Sequence, residues 1–215
     1  MPINEENYHK TRFKFDPGRL KVWRAITEYL QPYVGSNKTV LDLGSGYGDF
    51  INAINAKKKF ALDISPAVKD YINKDVIFIN KPATSLEDIT TNSVDVVFAS
   101  NLVEHLDMTE LNEMMQGVKR CLKKNGTLIL IQPNFQYAYR NYFDDYTHKS
   151  VYSHLSLADS MYEFGFTPTK IVPKFLPLTL KSRLPKSYIL TKIYLHSPFR
   201  PMGKQMLLIF KAKDA

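Results

Sequence analysis

The chain has 215 residues, 44% hydrophobic and 23% charged, enough to bury a full core as a single domain spanning residues 1–215. No apolar run reaches the roughly 18 residues of a membrane span, the opening Met1-Pro2-Ile3-Asn4-Glu5-Glu6-Asn7 carries no export pattern, and one cysteine, Cys121, excludes an internal disulfide. A cytoplasmic protein is the expectation, and its net charge of +8 (29 Lys+Arg against 21 Asp+Glu) favours anionic partners.

Residues 1–17 are polar, with an aromatic and basic knot from Tyr8 to Phe15. Leu20, Trp23, Ile26, Thr27 and Leu30 then recur at helical spacing over Arg19–Tyr33. Residues 1–35 therefore read as an N-terminal helical cover. Val40, Leu41 and Leu43 form an apolar run that reads as a buried strand, and Gly44, Gly46 and Gly48 at alternate positions let the backbone turn tightly after it. Asp49 is placed to cap a following helix, Asp49–Lys58, with Phe50, Ile51 and Ile54 on its apolar face.

A second strand, Phe60–Ile64, precedes a serine-capped helix opening at Ser65-Pro66. Val76–Ile79 and Ser93–Ser100 read as the third and fourth strands. A helix over Thr109–Leu122, with Cys121 on its buried face, leads through a turn, Lys123-Lys124-Asn125-Gly126, into a fifth strand at Thr127–Ile131. The alternation of strand and helix specifies a parallel α/β sheet. Phe135–Ser150 breaks the periodicity with clustered tyrosines, phenylalanines, Arg140, Asp144, Asp145 and His148 beyond a strand's carboxyl end, and reads as a substrate wall. A helix to Glu163, stopped by Gly165, a strand at Phe166–Val172 and a last strand at Gln205–Lys211 complete the chain. Residues 173–204 between them form an insertion or lid.

A glycine turn at a strand's carboxyl end is a ligand turn in an open α/β sheet. The spacing here is Gly-x-Gly-x-Gly after an acid, Asp42, with a second acid, Asp63, about 20 residues on. A dinucleotide pyrophosphate would want Gly-x-Gly-x-x-Gly; two acids suit a ligand with an amine or cationic end and a ribose diol. At these residues the chain resembles the class I S-adenosylmethionine-dependent methyltransferases, of the small-molecule and glycan-cluster kind. Asp95-Val96-Val97-Phe98 and Glu104-His105-Leu106 carry the same resemblance.

The family implies a Rossmann-like, doubly wound sheet of seven strands in the order 3-2-1-4-5-7-6, the last strand antiparallel, with helices on both faces. It implies S-adenosyl-L-methionine as cofactor. Asp42, Gly44, Ser45, Gly46, Tyr47 and Gly48 would face the methionine portion, Asp63 the ribose, and Ile64 the adenine, with Ser100 and Asn101 flanking the sulfonium. Pro82 stands where the family commonly has an acid for the adenine amino group, leaving backbone groups around Ala83 and Thr84 for that contact. Arg12, Phe13 or Arg19 are candidates to fold over the cofactor.

A hydroxyl acceptor needs its proton removed, and a histidine near neutral pKa is the usual base. His148, in an Asp-x-x-His pattern similar to methyltransferases of polysaccharide and glycan gene clusters, is the first candidate, with Asp144 or Asp145 orienting it. His105 is the second, and Tyr146 is a further catalytic candidate. No metal is assigned, because the carboxylate pattern of a catechol-type divalent site is absent.

From Lys170 to Lys204 the chain gathers lysines and arginines, with no acid between Glu163 and Asp214. This basic tail suits an anionic small-molecule or glycan acceptor such as a sugar nucleotide or lipid-linked sugar, or a peripheral membrane contact. The alternatives are a nucleic-acid methyltransferase, which the absence of an Asn/Asp-Pro-Pro-Tyr/Phe signature disfavours, and a non-catalytic binding module that keeps the cofactor fold. Oligomeric state is left open.

Overall fold

A computed structural model describes residues 15–177 and 186–213. The expectations for Arg12 and Phe13 lie outside the described residues. Helix α1 (Arg19–Val34) lays Val22, Trp23, Ile26 and Leu30 on the sheet. Strands β1 (Thr39–Leu43), β2 (Lys58–Asp63), β3 (Val76–Asn80) and β4 (Val94–Ser100) follow, then α2 (Met108–Cys121), β5 (Leu122–Pro133), α3 (Phe135–Ala138), α4 (His154–Glu163), β6 (Phe166–Pro177), α5 (Tyr188–His196) and β7 (Gly203–Ala212). Short 3-10 helices sit at Pro66–Tyr71, Val103–His105 and Tyr142–Asp144.

All seven strands form one sheet in the order β3-β2-β1-β4-β5-β7-β6. β1 to β5 pair in parallel, and β7 runs antiparallel to both β5 and β6. The central strands are apolar runs because both faces are covered. One face carries α2 and α4 through Leu111, Met115, Leu157 and Met161. The other carries α1, with Trp23 edge-on to Phe98 and Phe50 stacked on Phe98 at 3.7 Å.

Four local expectations need correction. No regular helix follows the glycine turn: Asn52 and Ile54 N–H bond to Gly48 and Phe50 carbonyls for a single turn. Asp49 takes an ion pair with Arg19 instead of capping, and the Asn52 side chain bonds to Tyr71 O and Asn73 N, which diverts the segment from helix. The helix at Ser65 is a six-residue 3-10 turn with no side-chain cap, and Ser65 N–H donates to Asp63 Oδ1. The Lys123–Gly126 turn lies inside β5 as an irregularity, where the register jumps from Leu122 opposite Val94 to Thr127 opposite Val96, with Asn125 at φ 58°.

The fourth correction concerns 173–204. β6 extends through residue 177 as an edge strand, its register broken around Pro168 and between Val172 and Leu176, near Pro173, where prolines offer no donor. Among the described residues the segment also contributes α5, which packs Leu195 into the core on the α1 side.

Candidate active site

Strand alternation decides the cofactor half of the site. Val40 and Ala61 belong to the core on the α1 side, whereas Leu41, Leu43 and Leu62 belong to the opposite core, so Asp42 and Asp63 share the α1 face at adjacent strand ends. Ser100, two residues after Phe98 on neighbouring β4, lies on the same face. The two acids that the sequence separates by about 20 residues thus stand on one face at neighbouring strand ends, close enough for the Asp63 charge to act on the Asp42 carboxyl.

The turn between them is built from left-handed backbone, Gly44, Gly46 and Gly48 having φ of 65°, 51° and 73°. A Cβ on Gly48 would also meet Asn52 Nδ2 at 2.7 Å and Ile72 Cδ1 at 2.8 Å. Gly46 N–H donates to Asp63 Oδ2 at 2.7 Å, so the second acid orders the bend made by the first strand. Asp42 is 2% exposed, and burial, then the charges of Asp63 and Asp49, holds its carboxyl well above the usual range. Burial also raises Asp49, against the pull of Arg19 at 2.7 Å.

Ser45 Oγ is buried with no hydrogen-bond partner among the described residues. An acid-rich hollow with an orphan hydroxyl fits an amine-bearing cationic ligand, the character of S-adenosylmethionine. Tyr47 stacks edge-on against Phe15 at 5.3 Å and Tyr71 at 4.7 Å, so the N-terminal cover reaches the turn through Phe15. Ile64 is exposed at the mouth, Ala83 is buried and Thr84 half-buried beyond β3. Asn101, at φ 51°, accepts from Gln205 Nε2 at 2.9 Å, which ties β4's end to β7.

A second cluster lies just past β4. Lys149 and Ser150 N–H both donate to Glu104 O, and Ser150 Oγ donates to Leu106 O, pinning the 142–150 loop over the Val103–His105 turn. This brings the His148 ring to 4.9 Å from the His105 ring and 4.5 Å from Tyr142. Leu102, beside the same turn, stands 3.1 Å from where a Gly44 Cβ would be, so the cluster adjoins the glycine turn.

His105 Nδ1 lies 2.9 Å from Thr147 Oγ1 and 3.2 Å from Thr147 O, and Thr147 Oγ1 donates to Asp145 Oδ1 at 2.6 Å. A hydroxyl whose hydrogen goes to a carboxylate can only accept from the imidazole, so Nδ1 carries the proton and Nε2 the lone pair. Asp145 therefore orients His105 through Thr147. Asp144 turns instead to Asn141 Nδ2. Burial, then His148, lowers the His105 pKa and keeps the ring neutral. Burial works to raise Asp145, and the Thr147 hydrogen bonds outweigh it, leaving that carboxyl below its usual range. Tyr146 is exposed on the loop, away from this cluster's buried side.

The sequence reading missed Glu104 as a site group. It is 2% exposed, neither carboxylate oxygen has a hydrogen-bond partner among the described residues, and burial pushes its pKa up to about 8. The Glu-His pair before a helix was visible, but its company was not. Cys121 is buried with its thiol pushed up to about 11 by burial, an inert core position as expected.

A family profile described as a methyltransferase domain matches residues 13–171. The chain is 30% identical over 105 residues to the phosphoethanolamine N-methyltransferase of Plasmodium falciparum, covering 45% of this chain and 40% of that protein. It is 33% identical over 120 residues to phosphoethanolamine N-methyltransferase 1 of Triticum aestivum, covering 51% and 24%. The chain thus matches well under half the length of these curated relatives. A solved S-adenosylmethionine-dependent methyltransferase from Archaeoglobus fulgidus shares the fold at a TM-score of 0.69 and 21% identity, over 96% of this chain and 98% of that one. With the family profile spanning most of the chain and the sheet order matching, the protein belongs to the class I S-adenosylmethionine-dependent methyltransferases.

Proposed function

We propose that this enzyme methylates a small acceptor bearing an anionic group, a sugar phosphate, sugar nucleotide or lipid-linked sugar, on a hydroxyl oxygen. The observation that carries the reading is the neutral His105, oriented through Thr147 and Asp145 beside His148, adjoining the glycine turn. S-adenosylmethionine, when bound, supplies an electrophilic methyl carbon whose departure leaves a neutral thioether. The chain's own work is then to hold the acceptor in line and ease loss of its proton, and positioning alone accounts for roughly 7–11 kcal/mol of barrier lowering when geometry is tight.

Asp42, Ser45 and the glycine turn would hold the methionine end, Asp63 the ribose, Ile64, Ala83 and Thr84 the adenine, and Ser100 and Asn101 the sulfonium edge. His105 and His148 would meet the acceptor, with exposed Tyr146 on its rim. The phosphate-bearing acceptors named for the two curated relatives support an anionic acceptor here. So does a recess of about 340 Å³ between Tyr137, Lys174 and Arg200, where the Lys174 ammonium lies 4.5 Å over the Tyr137 ring. Incubating the chain with methyl-labelled cofactor and a panel of sugar phosphates, sugar nucleotides, phosphoethanolamine and RNA tests this. Label on a sugar hydroxyl supports the reading; label on an amine or on RNA alone overturns it.

The basic tail gains a specific partner from α5. Tyr188 and Lys192 bond to Glu28, and His196 packs on Tyr29, which fixes that helix face against α1. Helical spacing turns Ile189, Leu190 and Ile193 the other way, and all three are exposed, as are Phe199 (76%) and Met202 just beyond. An apolar helix face in a stretch, residues 164–213, that carries lysines and arginines and no acid of its own complements an anionic phospholipid surface, Glu28 of α1 being taken up by Tyr188 and Lys192. The chain is expected to co-sediment with phosphatidylglycerol vesicles, weakly with phosphatidylcholine, and to lose most of that binding in an Ile193→Ser/Phe199→Ser double variant. No vesicle binding, or a concentration-dependent dimer abolished by the same substitutions, would assign the face elsewhere.

A further inference from the structure

We propose that Glu104, His105 and His148 form a binding site for a divalent first-row transition cation. One ligand-capable atom from each lies within 4.8 Å of the other two. Bonds of about 2.0–2.2 Å to a common ion place donors roughly 3–4 Å apart, so side-chain adjustments of about an ångström close the site. Its position, at the acceptor edge, makes the inference rest on the reading of that edge given above.

The independent observation is Glu104. Its side chain is almost wholly enclosed, yet no other described residue donates a hydrogen bond to either oxygen. Buried carboxylates are nearly always paired, hydrogen-bonded or bound to an ion, because leaving them bare is costly. Two imidazoles stand within reach of it, and the nearby Tyr142 hydroxyl is spent on Ser150 O. Of the two imidazoles, His105 has its Nδ1 proton committed to Thr147, so Nε2 is the ring atom that would face a cation. A ring N–H held by a hydroxyl and carbonyl, backed by a carboxylate, is how proteins orient a histidine ligand. Here Thr147 and Asp145 are that support.

The rest of the loop is built to bring the third ligand in. Lys149 and Ser150 clasp the Glu104 carbonyl from the residues next to His148, and Tyr142 donates to Ser150 O at 2.5 Å while its ring packs on the His148 imidazole. The donor set of two nitrogens and one carboxylate selects among cations. Imidazole suits iron(II), cobalt(II), zinc(II) and related ions, whereas magnesium and calcium prefer oxygen throughout. Three protein ligands leave coordination positions open, and an acceptor hydroxyl or phosphate oxygen is the chemistry that would fill them. The cation would draw that oxygen to the site and ease departure of its proton to solvent, making the histidines ligands more than proton acceptors.

The test uses the untagged chain, stripped with chelator, titrated with cobalt(II) alone and followed by visible absorption and by calorimetry, with S-adenosylmethionine binding measured on the same samples. One equivalent of cobalt(II) binding at micromolar concentration or tighter is expected, competed by zinc(II). Glu104→Gln and His148→Gln should each weaken it at least 10-fold, and Thr147→Val, which removes only the orienting hydroxyl, by about 10-fold. All should keep wild-type S-adenosylmethionine affinity. His148 sits on a half-buried loop, so its variant reads the site even if Glu104→Gln folds poorly. No saturable cobalt(II) binding by a chain that binds S-adenosylmethionine, or binding indifferent to these substitutions, overturns the proposal. A wild-type chain that bound cobalt(II) and not S-adenosylmethionine would instead overturn the cofactor reading alone.

Discussion

Asp63→Asn is expected to weaken S-adenosylmethionine binding about 10- to 100-fold by calorimetry, with a smaller loss of thermal stability in the cofactor-free protein than Asp63→Ala causes. A hydrogen bond to a charged group contributes about 1.5–3 kcal/mol, and each 1.4 kcal/mol is tenfold in affinity. The asparagine keeps one oxygen to accept from Gly46 N–H, so the bend survives, but its amide nitrogen no longer accepts from Ser65 N–H, and the charge that would meet the ribose hydroxyls is gone. Asp63→Ala separates the two roles further. It removes the acceptor for both Gly46 and Ser65 N–H, and should lower the unfolding midpoint as well as affinity. Unchanged affinity in Asp63→Asn would take the ribose role away from this residue.

Asp42→Asn should flatten the dependence of stability on pH. In the cofactor-free protein the Asp42 carboxyl titrates well above its usual range because it is buried and faces Asp63 and Asp49. A group whose folded pKa exceeds its unfolded one contributes full stability below the unfolded value, near 4, and that contribution is lost as pH rises through the folded value. Wild type is therefore expected to lose stability as pH climbs from about 4 through neutrality. The variant should lose less stability than wild type as pH rises above the usual carboxylate range, because its amide oxygen can still accept the Ile51 N–H and carries no charge to desolvate. It should also bind S-adenosylmethionine at least tenfold more weakly, because the amine end would lose its carboxylate. Denaturant titrations of both proteins across pH 4–8, without and with cofactor, check both halves. A wild type that loses no more stability than the variant across that range would mean that Asp42 is held ionised by a partner in the folded chain.

The strands were legible because a parallel sheet covered on both faces needs continuous apolar runs, and Val40-Leu41, Phe60-Ala61-Leu62 and Val96 to Ala99 are such runs. Helix α2 was legible over Thr109–Leu122, and the structure adds the Asp107 capping box that opens it. The segment after the glycine turn was not. Phe50, Ile51 and Ile54 have helical spacing, yet Asp49 went to Arg19 and Asn52 to the Tyr71 turn, partners that no local rule identifies. The histidine cluster was half legible: His105 and His148 stood out singly as residue types, and Glu104 did not, because a glutamate in a short helical turn is ordinarily solvated.

The sequence alone determined the class of this protein. An acid before three alternating glycines and a second acid one strand later can be read locally, since backbone turns and strand runs depend on neighbours in the chain. The tertiary structure alone decided which groups stand together. Strand alternation and register put Asp42 and Asp63 on one face, and two backbone hydrogen bonds to Glu104 O carried a distant loop over it, setting His148 against His105 beside a carboxylate with no donor. Desolvation acts on whatever is enclosed together, and enclosure is a property of the folded chain that no spacing along it records.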